Sequence, residues 1–150
     1  MTKNIGICTL LCAITAVIAI AASAPHWLSD KNTFLKSFVN HELLALLGII
    51  LTITLASAAN LHLAFNRIEE QFSQRGGLAG TRRGVTRGAY WLIGLFVLSV
   101  ATVVAKPGVL GNDVAEAAFN GAALVFLLWN VLILIEITQL AFAIEPNIES

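Results

Sequence analysis

The chain has 150 residues, of which 57% are hydrophobic and only 12% are charged, and its formal net charge is zero. Soluble domains carry roughly 25% charged residues, so this composition, with a mean hydropathy of +0.82, excludes an ordinary soluble domain. The few charged residues fall between long apolar segments and not along their faces, which is typical of a chain embedded in lipid.

Four segments are long and apolar enough to cross a hydrocarbon core of about 30 Å, which takes roughly 20 helical residues. Lipid offers the backbone no hydrogen-bond partners, and the segments show no alternating polarity, so they must be helices and not strands of a barrel. The sequence therefore predicts an all-α protein, a single integral membrane domain with four transmembrane helices. The predicted spans cover residues 5–24, 43–65, 87–105 and 117–138.

The first span shares several features with a cleavable signal peptide, namely Lys3, a long apolar run and the small residues 22–24. Its apolar run exceeds the usual length of about 7 to 15 residues, and Pro25 would directly follow the cleaved bond, where its ring fits a peptidase poorly. We therefore expect a retained helix. Cys8 and Cys12 lie on one face of it, and we interpret them as small packing residues.

The connection after the first span carries apolar residues at helical spacing, Phe34, Leu35, Phe38 and Val39, between basic side chains. This pattern fits a short amphipathic helix lying in the membrane interface. A plain loop anchored by its aromatic residues fits equally well, so the sequence leaves both readings open.

The second span predicts a helix that continues beyond the membrane into the cytoplasm, because an apolar stripe of Phe65, Ile68 and Phe72 runs on between polar side chains. Gly76 and Gly77 mark its expected end. The stripe has to be buried against a sister subunit, the end of the fourth span or a partner protein. We therefore predict a partner contact on this segment.

Within the second span, the polar residues Thr54, Ser57 and Asn60 fall on one side of a helical wheel. Such a band can line a wet pathway, most readily one formed between subunits. It can equally be a close-packing face on which hydroxyl and amide groups make interhelical hydrogen bonds. The sequence favours packing over pore lining.

Arginines crowd the region between the second and third spans, whereas the other two connections contain no arginine, with Lys31 and Lys36 in the first and Lys106 in the last. Positive residues collect on the cytoplasmic side of a membrane, so both termini should be cytoplasmic. The arginines can serve this purpose alone, or they can also contact anionic lipid headgroups, an acidic partner or a nucleotide. Gly80, Gly84 and Gly88 favour a flexible loop here. The arginines are Arg67, Arg75, Arg82, Arg83 and Arg87.

The fourth span begins with Asp113 and Glu116, which are spaced like a capping box. It also carries Asn130 and Glu136, the candidate polar site inside the membrane. Glu136 lies about 28 Å beyond Ala117 at about 1.5 Å per residue, close to the far boundary of the bilayer. A solvated or ion-paired interfacial carboxylate is therefore favoured over an ion or proton site.

Motifs of known enzyme chemistry are missing from the sequence, which contains no HExxH, P-loop, GxSxG or GxGxxG pattern. The three histidines, His26, His41 and His62, lie in different segments without the spacing of metal ligands. We expect no enzyme activity, no catalytic residue, no cofactor, no metal site and no direct binding of nucleic acid.

As an architecture, the chain resembles the small four-helix membrane subunits of bacterial anti-phage defence systems, such as the membrane component of Kiwa or the membrane effector of Hailong. The resemblance rests on both termini lying inside, on the arginine-rich inner connection from Arg75 to Arg87, and on the extended second helix from Asn60 to Phe72. It carries over no diagnostic motif and no functional residue.

That resemblance implies a homo-oligomer in the bacterial inner membrane, coupled to a cytoplasmic protein that senses infection or executes the response. On this reading the chain is a membrane effector or sensor, and a gated pore forms between subunits. The alternatives are a non-conducting membrane anchor or scaffold that recruits a soluble partner, and a small secondary transporter that uses Glu136.

Overall fold

Helices make up most of the computed structural model, which describes residues 3–71 and 79–142. For residue 3 and residues 68–71 it describes only the backbone. There are no strands in these ranges, which confirms the all-α prediction. The α-helices of the described ranges are α1 (Lys3–Ser23), α2 (Thr33–Ser37), α3 (Leu43–Gln71), α4 (Ala79–Ala105) and α5 (Asp113–Phe142).

The long helices α1, α3, α4 and α5 are each long and apolar enough to cross a membrane, which confirms the four predicted spans. The protein is therefore a multi-pass membrane protein. Three of the helices extend well beyond the predicted spans: α3 ends at Gln71, α4 already begins at Ala79, and α5 runs from Asp113 to Phe142. The predicted continuation of the second span is confirmed as helix as far as Gln71, while its expected stop at Gly76 lies outside the described residues.

The four long helices lie side by side in the order α1, α5, α4, α3. Each of these neighbouring pairs shares an extended packing seam, and α3 touches α5 only over a short stretch. Because α1 and α3 do not form such a seam with each other, the arrangement is an open layer with α1 at one edge and α3 at the other. Within the apolar span of α1, Ala21 is buried inside the chain, whereas the other side chains are exposed or half-buried.

Glycines bring the helices of this layer close together. A Cβ added at Gly121 of α5 would lie 2.3 Å from Cγ1 of Val17 in α1, and one added at Gly88 of α4 would lie 2.8 Å from Cδ1 of Ile137 in α5. Gly84 likewise faces Leu140. The flexible loop expected at these α4 glycines is wrong, because they lie on a helix whose small residues admit the side chains of α5.

The connection between α1 and α3 contains the short helix α2 and then an irregular turn, Phe38–Glu42, with non-helical backbone at Val39 and Asn40. Leu35 and Val39 are buried in the core, whereas Phe34 is exposed and stacks on Phe38 with ring centroids 5.4 Å apart. The structure therefore has a helix at Phe34 and Leu35, whereas Phe38 and Val39 lie in the turn that follows it, and the predicted position in a membrane interface stays a prediction.

Two buried clusters form the core, one in each half of the layer. Beside the connections, α5 packs against α1, α2 and the start of α3 through residues such as Leu35, Leu43 and Ala117. Further along, Leu92 and Leu95 of α4 pack against Ile133 and Ile137 of α5. The remaining surface carries many exposed large apolar side chains, as expected of a protein whose surroundings are lipid.

Candidate functional site

The two ends of the layer differ in charge and are named here by that difference. The loop end comprises residues 24–42 and 106–113, which connect α1 to α3 and α4 to α5. The arginine end comprises the last turns of α3 and the first turns of α4, with Arg67, Arg82, Arg83 and Arg87 among its described residues. Each end holds one candidate site.

At the loop end, a lysine and an aspartate form a nearly buried ion pair. Nζ of Lys106 lies 2.7 Å from Oδ1 of Asp30, and the two side chains are only 8% and 12% exposed. Lys106 also donates to the backbone carbonyl of Val39 at 3.3 Å. Lys106 directly follows the last residue of α4, so this pair fastens the end of α4 to the connection between α1 and α3.

Asn120 and Glu116 of α5 complete this arrangement, and we call the four residues Asp30, Lys106, Glu116 and Asn120 the polar cluster. The amide of Asn120, which is fully buried, donates to the Leu28 carbonyl at 2.8 Å and to the Asp30 carboxylate at 3.0 Å. The carboxylate of Glu116 accepts from the backbone N–H of Asp30 at 3.1 Å and of Gly111 at 2.8 Å. The polar cluster therefore joins both connections to one helix.

The charge state of Asp30 follows from these partners. Burial alone raises the pKa of a carboxyl, but hydrogen bonds from Lys106 and Asn120, with the charges of Lys106 and Lys36, outweigh that effect and hold the pKa of Asp30 below its usual value. Asp30 is thus anionic at neutral pH and neutralises Lys106. The charges of Asp30 and Lys106 neutralise each other, which suits a structural role better than a reactive centre.

The local turn explains how α5 reaches this position. Gly111 has a φ of +89°, which favours glycine, and Asn112 then caps α5 by accepting from the N–H of Ala115 at 3.1 Å. The predicted capping box starting at Asp113 is wrong by one residue. Asp113 instead pairs with Lys31 on the exposed rim, and Glu116 is drawn into the polar cluster.

At the arginine end, an open groove of about 670 Å³ runs along α4, with His62 of α3 on its other side. We call it the arginine groove. It adjoins a cavity of about 300 Å³ between α3 and α4, whose further walls are mostly apolar, including Leu55, Ala58 and Ile93. The residues that line the arginine groove are His62, Arg82, Arg83, Thr86, Arg87, Tyr90, Trp91 and Gly94.

The three arginines of this groove play different parts. Arg82 is half-buried and donates to Oδ1 of Asn66 at 3.0 Å, which ties α4 to α3. Arg83 and Arg87 are exposed and lie one helical turn apart. Among the described residues neither is in an ion pair, and no carboxylate lines the groove. The groove therefore has a net positive charge, to which the nearby N-terminus of α4 adds.

The predicted pore or packing face on α3 divides into two parts. Thr54 is buried within the chain and donates to the Ile50 carbonyl at 2.7 Å. Ser57 and Asn60 are exposed, although both lie well inside the span. Only these two residues are therefore available to a second subunit or to a water-filled pathway.

The other predicted site residues do not form a common site. Phe65 is 1% exposed and therefore gives no surface to a partner, whereas Ile68 lies in α3 with its side chain outside the description, and Phe72 and Arg75 lie outside the described residues. Asn130 is buried and donates to Phe126 of its own helix at 2.9 Å. Glu136 is exposed on the surface of α5.

Asp30 and Lys106 are not among the site residues predicted from the sequence. The available signal was the scarcity of charge: in a chain with so few charged residues, opposite charges in two connections at the same end invite pairing. Within the described residues there is no group of three His, Cys, Asp or Glu side chains that could hold a metal ion.

In comparisons with known proteins, no protein-family model, no curated protein and no solved structure matches this chain.

Proposed function

We propose that the protein is a homo-oligomeric subunit of the bacterial inner membrane and acts as the membrane effector or sensor of an anti-phage defence system, through a gated pore between subunits. The observation that carries the pore is the exposure of Ser57 and Asn60 on α3, the edge helix of an open layer. The defence context is drawn from the resemblance in architecture described above.

Depth makes this exposure significant. Asn60 lies about 25 Å from the start of α3 at Leu43, at about 1.5 Å per residue, whereas Arg67 lies about 10 Å further on. Asn60 is thus still within a membrane of about 30 Å. A primary amide facing lipid is costly, and pairing it with another copy of the chain or with water removes that cost.

The packing of a single subunit favours a pathway between subunits. The space between α4 and α5 is filled by Leu92, Leu95, Ile133 and Ile137, and the polar cluster closes the loop end with paired charges. The two edge helices α1 and α3 each have a long packing seam with only one neighbouring helix of the layer, which leaves their other side uncovered. Copies that meet along α3 would surround a pathway with Ser57 and Asn60.

The test combines particle mass with ion flux. The full chain, purified into nanodiscs, is expected to form one defined oligomer, and the same preparation in liposomes should conduct ions. Asn60→Leu should lower the flux, whereas Ile49→Leu, an exposed apolar position on the same helix, should leave it unchanged. A monomeric particle, or flux that Asn60→Leu does not alter, would contradict the proposed lining.

A non-conducting anchor is the second candidate, favoured by the continuation of α3 to Gln71, beyond the apolar span that ends at Arg67. In this function the segment after Phe65 recruits a cytoplasmic protein. Phe72→Glu should then abolish co-purification of that protein without reducing membrane insertion.

For either function, cells that express the chain with its genomic neighbours should resist phage, and deletion of the chain should restore plaque formation.

A further inference from the structure

The arginine groove and the adjoining cavity differ in chemistry but share part of their lining. His62, Arg82, Thr86 and Tyr90 line both, so the two lie directly side by side and together make up one candidate ligand space. At one end of this space lie the guanidinium groups of Arg83 and Arg87. At the other lie apolar walls that include Ala58 and Ile93. A ligand that fills the space must be anionic at one end and apolar at the other.

The position of the groove along α4 matches the boundary of a membrane. From Arg83 to Ala105, the end of α4, the helix extends about 33 Å at about 1.5 Å per residue, close to the thickness of a hydrocarbon core of about 30 Å. Tyr90 and Trp91, both exposed, follow directly after the arginines. Aromatic residues of this kind sit at the level of the lipid headgroups.

The charge of the groove also favours a ligand with an anionic end. Arg83 and Arg87 are exposed on adjacent turns, and neither forms an ion pair with a described residue. Arginine binds phosphate through paired N–H donors, and hydroxyl and imidazole groups at Thr86 and His62 can add further hydrogen bonds. Arg82 forms part of the wall of the groove, where its guanidinium donates a hydrogen bond to Asn66.

From these observations we infer that the arginine groove binds an anionic phospholipid of the surrounding leaflet. The phosphate lies between Arg83 and Arg87, and an acyl chain follows Tyr90 and Gly94 and enters the adjoining cavity. The lipid thereby adds to the hydrogen bond between Arg82 and Asn66 in holding α3 against α4 at the arginine end. This inference holds whether or not the protein conducts ions.

Thermal unfolding of the full chain in nanodiscs tests the inference. Replacing phosphatidylcholine by phosphatidylglycerol should raise the Tm, since a ligand that binds only the folded state stabilises it. Arg83→Gln and Arg87→Gln should each weaken phosphatidylglycerol binding about fivefold, the equivalent of about 1 kcal/mol per arginine. Arg67→Gln is the matched control, because Arg67 is exposed at the same end but does not line the groove.

A second variant tests the apolar part. A Cβ added at Gly94 meets nothing within 4 Å, so Gly94→Leu should leave the fold intact in phosphatidylcholine while its side chain obstructs the groove. The increase in Tm by phosphatidylglycerol should then disappear. Native mass spectrometry of the same variants should show loss of the bound lipid.

Three results would overturn the inference. The first is an equal loss of phosphatidylglycerol binding in Arg67→Gln and Arg83→Gln, which would indicate non-specific attraction to a charged surface. The second is a rise in Tm with inorganic phosphate in a neutral detergent as large as that with phosphatidylglycerol, which would indicate a site for a soluble anion. The third is an unchanged lipid response in Gly94→Leu. Ion flux enters none of these measurements, so the inference and the proposed pore fail independently.

Discussion

Lys106 and Asp30 lie in separate connections, 76 positions apart in the sequence, yet their side chains meet at 2.7 Å in a nearly buried ion pair. Taking two charges out of water is costly, so such a pair stabilises a protein only while both partners are present. The pair fixes how the connections close the loop end, and its removal has a definite expected outcome.

Asp30→Asn should destabilise the protein by about 3–5 kcal/mol, because it leaves the ammonium of Lys106 buried without its counter-charge. Unfolding by denaturant in detergent micelles measures the loss. Asp113→Asn is the matched control: the pair of Asp113 with Lys31 is 36% and 64% exposed, and exposed pairs contribute no more than about 1 kcal/mol. Equal losses for the two variants would show that burial of the first pair is unimportant.

The pH dependence of stability should also depend on Asp30. Its pKa in the folded protein is below the usual 3.8, so its stabilising contribution is fully present above that value and is lost as the pH falls through the lowered pKa. We expect a constant difference in Tm between the native protein and Asp30→Asn from pH 7 to about pH 5. Below pH 3.8 the difference should shrink, and a difference that stays constant there would rule out this role of the carboxylate.

Close packing between α1 and α5 predicts a strong effect at Gly121. The methyl group of Gly121→Ala would collide with Val17, whose branched side chain has little freedom to move within a helix, so a loss of about 1–3 kcal/mol is expected. Gly94→Ala should be neutral or slightly stabilising, since that position is open and alanine favours helix.

A double variant separates collision from other causes at this seam. Val17→Ala removes the methyl groups that the new side chain would meet, so the combination of Gly121→Ala with Val17→Ala should be more stable than Gly121→Ala alone. The same unfolding measurement applies. If the double variant is the less stable of the two, the small size of Gly121 serves some purpose other than close approach.

Cysteine cross-linking tests whether α3 meets a second copy. With Cys8 and Cys12, both exposed, replaced by serine, Asn60→Cys should form disulfide-linked dimers in membranes under mild oxidation. Val97→Cys on α4 provides the comparison, since Val97 is exposed but does not lie on an edge helix. Equal cross-linking at the two positions would reveal random encounters and no α3 interface.

The spans were predictable because one physical requirement dominates their sequence: only helices and closed barrels satisfy the backbone in lipid, and about 20 apolar residues without alternating polarity leave only the helix. The continuation of α3 to Gln71 was predictable for a related reason, since an apolar stripe with helical spacing persists beyond Phe65. The start of α4 was not. Gly80, Gly84 and Gly88 have low helix propensity, and the helix here is supported by the packing of Gly84 against Leu140 and of Gly88 against Ile137 of α5, which no local pattern reveals.

The polar cluster could not be predicted as a set. Asp30 and Asn120 are 90 positions apart, and their contact depends on how both connections fold over the end of α5. On a helical wheel Asn120 is only one of several polar residues of the fourth span. Its importance comes from complete burial beside the Leu28 carbonyl, a property of the tertiary structure. The arginine groove was foreseen only in part, through the charges of Arg83 and Arg87.

The packing of α1 against α5 determines the order in which the helices can assemble during biogenesis. In the described chain α1 is the first span made and α5 the last, yet α5 supplies the main neighbour of α1. During synthesis α1 should therefore remain in the bilayer as a single helix, stabilised only by its hydropathy, until α5 is made. In the meantime α3 and α4 can insert as a helical hairpin. The arrival of α5 then supplies the packing seam of α1 and brings Glu116 and Asn120 to Asp30. Membrane insertion and completion of the fold are thus separate events in this protein.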